Sequence, residues 1–181
     1  MASQIALLRG INVGGNKRFP TARQRELMAD LGFKDVTVHL QTGNIVFADP
    51  GTPPEETARV LEERFAADLG FSVPVMVRTR DELAAAVAAN PYPGATAEPK
   101  TLHLVFLSEV PADTAPLDAL DLAGYAPDSF RLVEREIYLH CPDGIGRSKL
   151  AAKITGIRLG VLATARNWNT VTKLLALADA G

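Results

Sequence analysis

The order of periodic segments in the first half of the chain constrains its fold most strongly. Residues 4–8 form a short apolar run, and a glycine-rich loop follows from Arg9 to Lys17. Thr21 and Gln24 stand at capping-box spacing, Leu27 and Leu31 recur at helical spacing, and Gly32 supplies a stop. Val36, Val38 and Leu40 alternate as in a half-buried strand. Gly43-Asn44 then predicts a tight turn into a strand at 45–47. Thr52, two prolines and Glu55 predict a second helix start. Ala58, Leu61, Phe65 and Leu69 would line its buried face, Gly70 would close it, and 73–77 reads as a strand. The order is strand, helix, strand, strand, helix, strand, complete within about eighty residues, which is a ferredoxin-like split βαβ unit.

The second half repeats these pieces more loosely. Thr79 and Glu82 predict a helix cap, with the helix running to 89, and 90–99 is a Pro/Gly-rich connection. A strand is expected at 102–107, a short helix at 114–122 and a hairpin from 130–133 and 137–140. Helices are expected at 148–155 and 167–177. No residue-level repeat links the halves. The expectation is an α+β protein of two ferredoxin-like (split βαβ) subdomains packed together, the second less regular. Residues 1–79 would form the first, and 80–181, with basic C-terminal helices, the second.

Bulk properties narrow the function classes. With 47% hydrophobic and 22% charged residues, the chain has an ordinary globular composition. No apolar run is long enough to span a bilayer, and no export signal opens the chain. The single cysteine, Cys141, excludes an internal disulfide, so a cytoplasmic location is expected. A net charge of -2 argues against a general polyanion binder. The charge is unevenly spread. Residues 1–50 hold six Lys/Arg against four Asp/Glu, 51–143 hold seven against sixteen, and 144–181 hold six against one.

Three polar segments depart from this background. The first, Arg9-Gly10-Ile11-Asn12-Val13-Gly14-Gly15-Asn16-Lys17, approaches a phosphate-binding P-loop. It has Asn16 where lysine is required, and no Ser or Thr follows Lys17. Its backbone amides could still receive an anion, or the glycines could simply serve a turn with positive φ. The second, Gln41-Thr42-Gly43-Asn44, is a turn whose chemistry explains its last two residues. The third surrounds Arg166, Asn169, Thr170 and Lys173. Arg166 is expected at a helix start there, with Arg147 and Lys149 at the start of the preceding helix. Cations at helix starts make sense if an anion, or a distant acidic segment of the chain, completes them. Trp168 and Val171 belong to a core stripe with Leu175 and Ala178. His39, His103 and His140 are too dispersed to predict a metal site, and Ser148 reads as a helix cap.

The segments 6–15, 41–47, 146–150 and 164–174, in this order, resemble the bacterial family called domain of unknown function 1697. Thr42 stands where many members have serine. The resemblance implies a cytoplasmic protein with two ferredoxin-like subdomains. It implies no activity, cofactor or catalytic residue.

The functional expectation is therefore a site for a small phosphorylated or carboxylated ligand. It would be built from Arg9, Asn12, Gly14, Gly15, Asn44, Arg147, Lys149, Arg166, Asn169 and Lys173. Cations would supply charge, glycine amides would hold oxygens, and asparagines would orient the ligand. Two alternatives stand beside it. One is a nucleic-acid-binding module using the basic C-terminal segment. It is disfavoured on the sheet face, because the first strand is aliphatic and aromatics are 6% of the chain. The other is a regulatory or interaction protein in which these motifs are structural. No cofactor and no reaction is assigned.

Overall fold

The computed structural model describes residues 2–181. The chain divides into two compact units: Met1–Ala85 together with Lys173–Gly181, and Ala86–Thr172.

In the first unit, β1 (Ser3–Leu8), α1 (Thr21–Asp30), β2 (Thr37–Val38), β3 (Asn44–Ala48), α2 (Pro54–Leu69) and β4 (Val75–Thr79) follow the predicted order. The four strands form an antiparallel sheet ordered β2-β3-β1-β4. Strand periodicity sends Ala6, Leu8, Ile45, Phe47, Val75 and Val77 into one core with Leu27, Leu61 and Phe65 of the two helices. The opposite residues Ile5, Leu7, Val46 and Met76 are buried too. Ser3 Oγ donates to the Ala178 carbonyl at 3.2 Å, which ties the C-terminal residues to this unit.

The helix starts differ from expectation in an instructive way. Pro20 and Pro53 occupy the N-cap positions of α1 and α2, and neither helix has a side-chain cap. The Gln24 amide donates to the Phe19 carbonyl, and Thr52 is hydrogen-bonded to Thr57. Pro20 and Pro53 both have extended backbone, ψ 146°, and take the flanking position, so Thr21 lies one residue inside its helix and Thr52 one residue outside the cap. The predicted box at Thr79 does form. The Glu82 N–H donates to Thr79 Oγ1 at 3.1 Å, the Thr79 N–H donates to Glu82 Oε2 at 2.8 Å, and α3 (Arg80–Ala88) follows. The strand expected over 36–40 shrinks to two residues, flanked by Asp35 and Leu40 with φ 52° and 61°.

Gly43 is no simple turn residue. It has φ 98°, and a Cβ there would lie 2.6 Å from Leu8 Cβ and 3.0 Å from the Leu8 carbonyl. Its own carbonyl accepts the Leu8 N–H at 2.9 Å. The β2–β3 loop is thus seated on the end of β1, and only glycine permits the approach.

The second unit contains β5 (Leu102–Leu107), α4 (Ala115–Asp118), β6 (Ser129–Val133), β7 (Glu136–His140), α5 (Lys149–Gly156) and β8 (Ala163–Asn167). Its sheet order, β6-β7-β5-β8, is the topology of the first. Val105, Leu107, Ile137, Leu139, Leu150 and Ile154 form its core. The predicted Ser148 cap is present, accepting from the Ala151 N–H at 2.9 Å. Strand β8 is absent from the sequence-based reading. Alternating alanine with Thr and Arg carries little strand propensity, and pairing with β5 overrides it. The final helix, α6 (Trp168–Ala180), begins with the Asn167 side chain accepting the Thr170 N–H at 2.9 Å. Trp168 is buried with Val171, Leu174 and Ala178, so Leu174 completes the stripe assigned to Leu175.

A repeat invisible in the sequence emerges in the register. Ile5 pairs with Arg78 and Gln4 with Thr79; Leu104 pairs with Arg166 and His103 with Asn167. Each unit therefore places a buried arginine, then a helix-capping residue, at the same point of its fourth strand.

Two predictions follow from this packing. Gly43→Ala will lower the unfolding free energy by about 2–3 kcal/mol, through overpacking and positive φ. Gly15→Ala, with nothing within 4 Å of the added Cβ, will cost only about 1–2 kcal/mol; urea denaturation of both variants checks the difference. The second concerns His103, whose Nδ1 is buried without a partner and whose pKa burial pulls below 6.5. The unfolded chain then binds a proton before the folded one does, so stability falls as pH drops below 6.5. His103→Gln, which copies Gln4 at the matching position, will flatten that slope in melting curves between about pH 5 and 7.

Candidate functional site

Strand polarity gathers three loops at one end of the first sheet: 9–20 after β1, 39–43 between β2 and β3, and 70–74 before β4. The first two are tied by Asn12. Its side-chain amide donates to the carbonyls of Phe19, at 2.9 Å, and Gln41, at 2.5 Å, while its Oδ1 accepts the Phe19 N–H at 2.8 Å. Asn44 secures the other flank, donating to the His39 carbonyl at 2.9 Å and to Thr42 Oγ1 at 3.3 Å. Both asparagines thus hold loops in place. Gly14 and Gly15, with φ 60° and 78°, form the tip of a two-residue hairpin closed by the Asn16 N–H on the Val13 carbonyl. Positive φ at both tip residues is the requirement of such a turn.

The charges at this end are of one sign. The three loops contain Arg9, Lys17, Arg18 and His39, and no aspartate or glutamate. Lys17 Nζ donates to the Ser72 carbonyl at 3.4 Å. Among the described residues Arg9, Arg18 and Lys173 form no ion pair. Burial, and then repulsion from Lys173, lowers the His39 pKa, which puts Lys173 within electrostatic reach of the second loop. Two carboxylates of α2 come near this end and both are engaged. Asp68 takes a bidentate bond from Arg23, at 3.0 and 2.6 Å, and Glu62 accepts the Val75 N–H at 2.8 Å. The N-terminus of α1 also lies here, with no acidic residue in its first turn. At the opposite end of the sheet the loops are mixed, carrying Asp35 and Asp49 beside Lys34.

In the second unit the topologically matching end is not basic. Loops 108–114 and 157–162 and the turn at 134–135 hold Glu109, Asp113 and Glu134 beside Arg135 and Arg158. Arg147, Ser148 and Lys149 line a cleft of about 620 Å³ elsewhere in that unit, shared with Asp128 and Asp143. Arg147 lies in a short 3-10 turn before the Ser148 cap, and Lys149 is the first residue of α5. This cleft carries both signs of charge.

Arg166 departs from its expected place. It lies within β8, not at a helix start, and is buried. Its guanidinium donates to Thr164 Oγ1 at 2.7 Å and to the Ala165 carbonyl at 2.9 Å. Burial lowers its pKa to about 10. It therefore shares no helical face with Asn169 and Lys173, which are exposed on α6. Cys141 is buried and burial raises its pKa, so it is a poor nucleophile. Among the described residues no three His, Cys, Asp or Glu side chains gather as a metal site would require, and no helix is long and apolar enough to cross a membrane.

The family model described as protein of unknown function (DUF1697) matches residues 1–138. The chain belongs to this family. Its fold is similar to that of a conserved bacterial protein from Streptococcus pneumoniae, with a TM-score of 0.80 and 19% identity over 98% of both chains. No curated protein matches the chain. Membership of DUF1697 thus agrees with the architecture and carries no activity with it.

Lys17, Arg18 and His39 stand at this end with Arg9 and Lys173, although the sequence motifs present Lys17 only as a displaced P-loop lysine and His39 only as a dispersed histidine. The signal was available as the absence of acidic residues from 9–20, 39–43 and 70–74. It becomes meaningful only once the topology puts those loops together. Arg78, buried at the register position of Arg166, was also missed; it is a single arginine in an apolar strand.

The two kinds of residue separate by experiment. Asn12→Ala will destabilise the protein by about 1–3 kcal/mol, because it removes three hydrogen bonds that tie the loops together, two of them part-buried. Arg9→Ala will stay within about 0.5 kcal/mol of the parent, as an exposed side chain does; chemical denaturation of the pair measures both.

Proposed function

We propose that the chain binds a small anionic ligand, phosphorylated or carboxylated, at the basic end of the first sheet. The observation that carries this reading is the set of three converging loops that hold Arg9, Lys17 and Arg18 and no carboxylate. Among the described residues Arg9 and Lys173 have no ion-pair partner, so internal neutralisation does not account for them. An anion held there would receive charge-assisted hydrogen bonds and the favourable end of the α1 dipole. Asn12 and Asn44 prepare the loops; Arg9 and Lys173 contact the ligand. A cytoplasmic, bacterial setting belongs to the same proposal; the free buried thiol of Cys141 supports the reducing compartment.

The mixed-charge cleft beside Arg147 and Lys149 is a weaker candidate for an anion, since Asp128 and Asp143 line it as well. A nucleic-acid role through the sheet faces has little support. The residues such modules expose, here Ile5, Leu7, Val46 and Met76, are buried.

A thermal-shift panel of phosphate, phosphate monoesters and carboxylates tests the reading. A ligand at about one hundred times its Kd will raise Tm by roughly 5–10 °C. Arg9→Ala and Lys173→Ala will abolish that shift while leaving the ligand-free Tm unchanged. Absence of a shift with every anion would remove the proposal.

A further inference from the structure

Two apolar side chains stand in the open at the same basic end. Val13 is 62% exposed and Leu40 is 55% exposed, and they are the only large hydrophobic residues so exposed among the described residues of the first unit. They sit on the two loops that Asn12 joins. Leu40 has φ 61°, a backbone conformation that leucine rarely adopts. Hydrogen bonds hold both of its neighbours: the His39 carbonyl accepts from Asn44 and the Gln41 carbonyl from Asn12. The fold therefore maintains an unfavourable backbone whose result is an apolar side chain facing solvent. Strain held in place by surrounding structure is characteristic of binding sites. The loops offer no fully exposed aromatic ring for a base or sugar, the imidazole of His39 being partly buried. Phe19 is buried, and Phe71 packs partly buried against the core.

Resting on the anion-binding reading above, we propose that the ligand is amphiphilic: an anionic phosphate or carboxylate head carrying an alkyl or acyl chain, not a sugar phosphate or nucleotide. Arg9 and Lys173 take the head, and Val13 and Leu40 take the first methylenes of the chain. Such chemistry occurs in a free alkyl phosphate or fatty acid and at the surface of an anionic lipid bilayer.

The test compares inorganic phosphate, glucose 6-phosphate and hexyl phosphate by calorimetry on the full chain, below the aggregation range of the alkyl ester. Hexyl phosphate will bind at least about tenfold more tightly than the other two. Leu40→Asn is the informative variant, because asparagine accepts positive φ and ligand-free Tm will hold or rise. It will keep phosphate affinity and lose most of the alkyl advantage, and Val13→Ser will do the same. Equal affinity for hexyl phosphate and glucose 6-phosphate would overturn the inference and leave the anion site standing. Failure to bind any of the three would remove the anion site itself. A parallel arm uses phosphatidylcholine vesicles with and without phosphatidylglycerol. Binding to the anionic vesicles that Leu40→Asn abolishes assigns the chain to a lipid surface. Binding to monomeric hexyl phosphate without vesicle binding assigns it to a free amphiphile. Vesicle binding unchanged by both variants counts against the inference.

Discussion

The approach of Gly43 to Leu8 governs the basic end of the first unit. A chain leaving β2 must return to pair beside β1, and here it does so with its backbone against the end of that strand. The 2.6 Å separation available to a Cβ admits only hydrogen. Once Gly43 is seated, the Gln41 carbonyl lies within reach of Asn12, and the long loop after β1 acquires a fixed partner. Left-handed backbone at Asn12, Leu40 and Gly43 follows from the same packing. The loop geometry is thus a consequence of strand closure, and its cost is borne by the hydrogen bonds of two asparagines.

Charge and topology vary independently in this protein. Both units have the same strand order and the same register between first and fourth strands. Only the first has a carboxylate-free set of loops at the end beyond β1; the matching loops of the second are mixed in sign. A shared scaffold therefore does not imply a shared site. Loop sequence carries the difference, since loops tolerate substitutions that paired strands and packed helices do not.

The element order of the first unit was legible because Leu61, Phe65 and the alternating strands leave a periodic record. Proline obscured the helix starts by occupying the cap positions at Pro20 and Pro53. Strand β8 was hidden because Ala163, Ala165 and their neighbours form a strand only by pairing with β5. That misreading displaced Arg166 from a buried strand to a helix start. Asn44 was legible as a turn residue, with its partners within five positions, whereas the structural role of Asn12 was hidden because Gln41 lies 29 positions away.

Local patterning determined which segments become helix and strand, because propensity and hydrophobic period act over a few neighbouring residues. It also recorded every cation and every missing carboxylate. Which of those cations share one end of a sheet was decided by long-range pairing. So was the exposure of Val13 and Leu40, because a side chain's access to solvent depends on what distant chain segments leave uncovered.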